Sequence, residues 1–158
     1  MMDNMNMKTI PHIVALSAYA LGMAFVETAV VVYLRELYYP AGFVASSVAN
    51  LAVIPSVILR VELWREAATI VMLAAVGFLA FREWRLRTFA FFFAFSLWDI
   101  FYYVFLYLFL GWPPSLATQD VYFLIPWPWI GPVWFPLVLF IIAGIVSLRF
   151  LLSRRSEE

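Results

Sequence analysis

TFAFFFAFSLWDIFYYVFLYLFL, residues 88–110, is long enough and apolar enough to cross a lipid bilayer as one helix. A membrane helix needs about 20 largely apolar residues to cover roughly 30 Å of hydrocarbon. One acid, Asp99, stands near the middle of this run. The stretch therefore predicts a membrane helix. Because a carboxylate is costly in lipid, the side of this helix that carries Asp99 should face other protein.

The composition of the whole chain agrees with this interpretation. Of 158 residues, 66% are hydrophobic and only 13% are charged, whereas soluble domains carry about 25% charged residues. So little charge cannot cover a soluble core, so we expect an integral membrane protein, located in the inner (plasma) membrane of a prokaryote. The formal net charge of zero gives no electrostatic basis for binding nucleic acid. The absence of cysteine excludes disulfides and thiolate metal sites.

Four spans are predicted in one all-α transmembrane domain covering residues 1–158. They lie at about 11–35, 61–82, 88–110 and 130–152. An orientation with both termini in the cytoplasm places seven of the ten Lys and Arg residues on the cytoplasmic side, as the positive-inside rule favours.

The two longer connections differ in character. Residues 45–59, between helices 1 and 2, are uncharged but contain proline, serine and asparagine, so we expect an interfacial or re-entrant segment rather than a fifth span. Residues 111–136, between helices 3 and 4, hold six of the nine prolines and four of the seven tryptophans. Because tryptophan prefers the headgroup level and proline disrupts regular pairing, we predict an extracytoplasmic cap folded onto the interface.

Two acids stand where the bilayer should exclude charge: Glu27 in the first span and Asp99 in the third. Each must either stay protonated or find a partner inside the bundle, so both should face away from lipid. They are the candidate catalytic residues. By contrast, the adjacent pair Arg35-Glu36 at the end of the first span is expected to be an interfacial anchor.

The second span should carry a polar stripe. Its clean apolar run, residues 67–81, covers only about 22 Å at 1.5 Å per residue, so the helix must begin near residue 61. That start brings Glu62, Arg65 and Glu66 into the span, with the two acids four residues apart on one face. These three residues are binding candidates.

Four further binding candidates lie around Asp99 or in the cap. Tyr102 and Tyr103 follow Asp99 at i+3 and i+4 and share its face, and Trp98 precedes it. Asp120 is the only charged residue of the cap. We expect all of these groups to meet in the outer half of the membrane.

This cluster has two interpretations. It could be a structural network in which Arg65 neutralises Glu27 or Glu66, or a functional site for an ion, a proton or a lipid headgroup. Because His12 is the single histidine, no metal site is predicted, and the sequence identifies no cofactor.

Three functions follow from these interpretations. The first is a subunit or a lipid- or cofactor-binding component of a membrane complex, whose partners are membrane lipids and other membrane subunits or a second copy of the chain. The second is a membrane enzyme acting on a lipidic or isoprenoid substrate by acid–base chemistry, with Asp99 or Glu27 as the acid. The third is a proton or cation pathway.

Trp98-Asp99 followed by Gly111-Trp112 resembles small membrane carotenoid cyclase subunits over a short part of the chain. The paired-glutamate motif of that family is missing after Trp112, where Asp120 stands alone. No residue role is therefore carried over from that family.

Overall fold

A computed structural model of the protein describes residues 3–43 and 48–153, with side chains over 9–43 and 51–153. Four long helices dominate it: α1 (Asp3–Tyr38), α2 (Ser56–Ala80), α3 (Trp84–Leu110) and α4 (Trp134–Ser153). Each is long and apolar enough to cross a membrane, and no fifth such helix occurs in the described ranges. The prediction of four apolar membrane helices is confirmed, whereas the orientation of the termini stays a prediction.

The first two helices begin earlier than predicted. α1 begins at Asp3 and not near residue 11, and α2 begins at Ser56, directly after Pro55, and not near residue 61. Proline is common at the start of a helix because its fixed φ angle suits the first turn and its missing N–H is not needed there. The earlier start of α2 adds a full turn before Glu62, so the polar stripe of Glu62, Arg65 and Glu66 lies well inside the helix.

The connection between α1 and α2 is too short in its regular part to cross a membrane. A 3₁₀ helix occupies Val48–Val53, which at about 2 Å per residue is roughly 12 Å long. Residues 45–47 of the predicted interfacial or re-entrant segment lie outside the described residues.

α3 is the central helix, since it packs against α1, α2 and α4. Fully buried alanines occur on α1 at Ala20 and Ala24 and on α3 at Ala90 and Ala94, each pair four residues apart. Small residues at this spacing allow helix backbones to approach closely where no hydrophobic effect drives their association.

The contact between α2 and α3 is closer still at one point. A Cβ atom added to Gly77 would lie 2.7 Å from the backbone nitrogen of Phe91. Outward-facing positions instead hold large apolar side chains such as Leu79 and Trp64, which are 82% and 79% exposed. Large apolar side chains on the outer surface, with small residues between the helices, are what a lipid environment requires.

The cap contains a small β-hairpin, which the all-α prediction did not include. Strand β1 (Gln119–Phe123) pairs antiparallel with β2 (Trp129–Pro132), and Asp120 lies opposite Gly131. Of the prolines in this region, Pro126 lies in the turn and Pro132 ends β2, so neither interrupts the paired residues.

Only residues 81–83 separate α2 from α3, so these two helices run antiparallel. The end of the bundle where α1 and α3 finish and α2 and α4 begin also holds the cap, and is called the cap end. At the other end, called the opposite end, His12 of α1 contacts Phe81. The predicted site residues gather at the cap end.

Candidate functional site

A cavity of about 120 Å³ lies at the cap end of the bundle. Its walls come from α1, α2, α3 and β1. The structure brings all nine predicted site residues to this one cavity: Glu27, Glu62, Arg65, Glu66, Trp98, Asp99, Tyr102, Tyr103 and Asp120. The five carboxyl side chains among them are all buried.

Arg65 of α2 pairs with one carboxylate on its own helix and one on α1, and the second pair joins the two helices. Its guanidinium donates to Glu62 Oε2 from Nε at 2.9 Å and from Nη2 at 2.7 Å. It also forms an ion pair with Glu27 of α1. The Thr69 hydroxyl lies 3.4 Å from the same Glu27 oxygen and 3.1 Å from the Arg65 carbonyl. One positive charge thus neutralises two buried acids only in part.

Glu66 fastens α2 to the cap. Its carboxylate accepts hydrogen bonds from the backbone N–H groups of Leu124, at 2.8 Å, and Ile125, at 3.2 Å. These two residues directly follow β1, so the carboxylate holds the start of the hairpin turn. Of the two partners proposed for Arg65, the structure therefore pairs Glu27 directly and gives Glu66 backbone partners.

Arg35 forms the second ion pair of the cavity. Its Nη2 lies 3.4 Å from Asp120 Oδ1, and the Tyr103 hydroxyl donates to Asp120 Oδ2 at 3.1 Å. The guanidinium lies over the rings of Trp112, at 3.8 Å, and Phe43, at 4.5 Å. Such stacking is favourable for a desolvated cation.

The expectation that Arg35 is an interfacial anchor is therefore wrong, since the side chain is buried beneath the cap. Only its neighbour Glu36 is exposed. The sequence did contain a signal: Glu27, Val31 and Arg35 are spaced at i, i+4 and i+8 on one helix face. All three line the cavity.

Asp120 has an environment that opposes its ionisation. Burial raises the pKa of the Asp120 carboxyl to about 6, although Arg35, the Val121 backbone N–H and the Tyr103 hydroxyl each act to lower it. The loss of hydration in the cap therefore outweighs the nearby positive charge.

Asp99 and Trp98 differ from the other residues of the cavity. Asp99 Oδ2 and the indole N–H of Trp98 are buried, and neither has a hydrogen-bond partner in the part of the chain that the structure describes. Both side chains are more than nine-tenths buried, at 7% and 6% exposure. Buried polar groups in native proteins are nearly always paired, so an unpaired carboxyl beside an unpaired N–H indicates a missing partner.

An apolar groove of about 740 Å³ adjoins the cavity. It runs between the 3₁₀ helix with the start of α2 on one side and the hairpin turn, including Trp127, on the other. Four residues line both the cavity and the groove: Leu51, Ile54, Leu59 and Leu124. The polar cavity and the apolar groove are therefore adjacent and share part of their walls.

Within residues 3–43 and 48–153, no group of three or more His, Asp or Glu side chains has a geometry that could hold a metal ion. Fold and cavity together define a helical membrane protein with charged residues buried at one end of its bundle. Comparison with known protein families, curated proteins and solved structures finds no match to this chain. Its role is therefore argued from the cavity itself.

Proposed function

We propose that the protein binds an amphiphilic membrane molecule, a lipid or an isoprenoid compound, with its polar end in the cavity and its chain in the groove. The observation that supports this proposal is that one buried carboxyl oxygen of Asp99, Oδ2, and the buried N–H of Trp98 both lack a hydrogen-bond partner in the described residues, and both residues line the cavity. A ligand with a polar end would supply the partner that both groups lack.

A purely structural network accounts for the other charges but not for Asp99. Glu27 and Glu62 both pair with Arg65, Asp120 pairs with Arg35, and Glu66 accepts hydrogen bonds from two backbone N–H groups. Leaving a buried polar group without a partner costs about 1–3 kcal/mol. A structural role alone gives no compensation for that cost at Asp99, whereas ligand binding does.

The dimensions of the space fit the same molecule. A cavity of about 120 Å³ accommodates a small polar head, whereas the groove beside it is larger and lined by Leu, Ile, Val, Pro, Ala, Ser and Trp side chains. Binding sites for small molecules are typically apolar with a few placed polar groups, and this space has that composition.

Native mass spectrometry after extraction in a gentle detergent tests the proposal. We expect the wild-type chain to retain a bound amphiphile, and Asp99→Leu to lose at least about nine-tenths of it, since one lost polar contact is worth about a factor of ten. Glu36→Leu is the matched control, because it removes an exposed acid near the same end. A wild-type protein without adducts, or equal adducts in Asp99→Leu, would overturn the proposal.

The same spectra report any protein that co-purifies. We propose that the chain acts together with other membrane subunits or a second copy of itself, and the large exposed apolar side chains of all four helices support this idea. Masses corresponding to a partner chain are the expected result, and a bare monomer under the gentlest conditions would contradict it.

A second candidate function is acid–base catalysis on the bound molecule. It is favoured by the carboxyl of Asp99, which has no ion-pair partner in the described ranges, whereas Glu27, the other candidate acid, is held by Arg65. A positioned carboxyl of this kind suits proton transfer to a substrate. Catalysis predicts that Asp99→Asn still binds but holds a molecule whose mass differs from that held by the wild type. Identical masses would exclude this function.

A further inference from the structure

The hydrogen-bonding groups of the cavity restrict the chemistry of the polar end, if the proposed function holds. Three buried polar atoms take part in neither a hydrogen bond nor an ion pair in the described part of the chain: Asp99 Oδ2, Trp98 Nε1 and Arg35 Nη1. Two of these are N–H donors and one is a carboxyl oxygen. The ligand must therefore meet donors and an acceptor within the same small space.

A charged head meets only part of this requirement. A phosphate or carboxylate accepts hydrogen bonds but donates none when ionised, and it would bring negative charge towards Asp99 and Asp120. The cavity already holds five carboxyl groups against two guanidinium groups, and both guanidinium groups are engaged by carboxylates. An ammonium only donates, so it would leave the N–H groups of Trp98 and Arg35 without an acceptor.

A hydroxyl group both donates and accepts. It could donate to Asp99 Oδ2 while its oxygen accepts from an N–H group of the cavity wall. It adds no charge, so it does not disturb the Arg35–Asp120 pair or the contacts of Arg65. Of the three heads compared, the ionised acid, the ammonium and the hydroxyl, only the hydroxyl matches the unpaired groups.

We infer that the ligand is a single-chain membrane alcohol, whose uncharged hydroxyl lies in the cavity and whose hydrocarbon chain lies in the groove. The four residues shared by the cavity and the groove provide the connection along which one chain can pass. A prenyl alcohol and an unbranched alkanol both have this chemistry, so the experiment separates these two sources.

The test compares four probes with the purified chain in lipid nanodiscs, using native mass spectrometry to measure binding. The probes are a prenyl alcohol, the phosphate and the amine of the same prenyl chain, and an unbranched alkanol of equal length. We expect an alcohol to bind at least about tenfold more tightly than the phosphate and the amine, the difference expected from one unmet buried group.

Substitutions then locate the binding. Trp98→Phe removes the indole N–H and should weaken alcohol binding about fivefold to tenfold. Asp99→Asn replaces the carboxyl group by an amide, whose NH₂ can donate to a phosphate, and should narrow the preference for the alcohol over the phosphate. Ala52→Trp fills the groove and should abolish binding, whereas Ala75→Trp, at an exposed position of α2 that lines neither space, should leave it unchanged.

The outcomes distinguish failure of the hydroxyl head from failure of the proposed function. Preferred binding of either alcohol that Ala52→Trp abolishes supports the inference, and the tighter of the two alcohols identifies the source. Equal or tighter binding of the phosphate or the amine, also abolished by Ala52→Trp, overturns the hydroxyl head but retains the proposed function. If no probe binds the wild-type protein, or if Ala52→Trp has no effect, both the inference and the proposed function are wrong.

Discussion

The two ends of the bundle differ in how they hold arginine. At the cap end, Arg35 is buried, Arg65 is largely buried, and each pairs with an acid from a different element, whereas Arg60 is exposed. At the opposite end, Arg82 and Arg85 are exposed, and Arg87 donates to the nearby carbonyl of Phe81 at 2.7 Å and lies over the ring of Phe78. Among the described residues, the ion pairs between arginine and an acid therefore lie at the cap end.

Packing differs in the same sense. The opposite end is held by close contacts, such as the stacked rings of Phe89 and Phe150, whose centroids are 3.8 Å apart, and the Gly77–Phe91 contact. The cap end holds a cavity between its ion pairs. The buried charges of the cap end therefore surround an open space, which closely packed apolar side chains would fill.

The largest expected difference between the ends concerns arginine. Arg65→Met leaves Glu27 and Glu62 buried without their counter-charge, so we expect the free energy of unfolding to fall by about 3–5 kcal/mol. Arg85→Met, at the opposite end, should change it by less than about 0.5 kcal/mol. Reversible unfolding in mixed micelles measures both values. Equal effects of the two substitutions would remove the distinction between the ends.

The second effect is a dependence on pH that belongs to the cap end. The folded-state pKa of Asp120, about 6, exceeds its ordinary value of 3.8. The folded protein therefore holds this proton more tightly than the unfolded chain does. The contribution of Asp120 to stability is full below pH 4 and is lost as the pH rises through 6, by at most about 3 kcal/mol.

Measuring unfolding of the wild type and Asp120→Asn between pH 4 and pH 7 tests this dependence. The charged and titratable groups that interact with Asp120 are Arg35 on α1, Asp99, Tyr102 and Tyr103 on α3, and Tyr122 on its own strand. We expect the wild type to lose stability relative to the variant as the pH rises, while Glu36→Gln, which changes an exposed acid, runs parallel to the wild type. A constant difference between wild type and Asp120→Asn would show that Asp120 titrates normally.

The third effect belongs to the opposite end. Gly77→Ala places a methyl group against the Phe91 backbone, which cannot yield as a flexible side chain would. We expect a loss of about 1–3 kcal/mol, the usual cost of overpacking. Gly22→Ala is the control, since nothing lies within 4 Å of a Cβ at that position. A neutral Gly77→Ala in the same unfolding assay would show that α2 and α3 are not packed so closely.

The smallest effect is local to the hairpin turn. Glu66→Ala removes the acceptor for the Leu124 and Ile125 amides, so we expect their hydrogen exchange to accelerate about tenfold, equivalent to roughly 1.4 kcal/mol. Glu66→Gln, which keeps an accepting oxygen, should restore most of the protection. Unchanged exchange in Glu66→Ala would indicate that the cap is held by other contacts.

Sequence analysis located the site residues because the cost of burying charge in lipid leaves few arrangements. Glu27 and Asp99 lie in apolar runs, so their side chains had to face inward. Because the uncharged apolar run of α2 is too short to cross a membrane, the helix had to include Glu62, Arg65 and Glu66, which line the same cavity. Periodicity then placed these side chains on faces that meet. Only the local spacing of the residues and the presence of a membrane are needed to predict these faces.

The partners that come from distant parts of the chain were not predictable in that way. Arg35 ends an apolar run beside Glu36, so its neighbourhood resembles an interfacial anchor, and its partner Asp120 lies 85 residues further along. The hairpin was missed because the prolines of the cap argued against pairing. The segment QDVYF, residues 119–123, has no proline and is rich in strand-forming residues, and this was the signal that the proline count obscured.

The central claim is that the polar end of a membrane molecule lies beside Asp99. The most direct measurement is an experimental density map of the protein extracted with its native lipids, at a resolution that shows single chains. The account predicts elongated non-protein density that enters along the groove between Ala52 and Trp127 and ends at Asp99. A cavity holding only water, with lipid density confined to the outer faces of the helices, would contradict it.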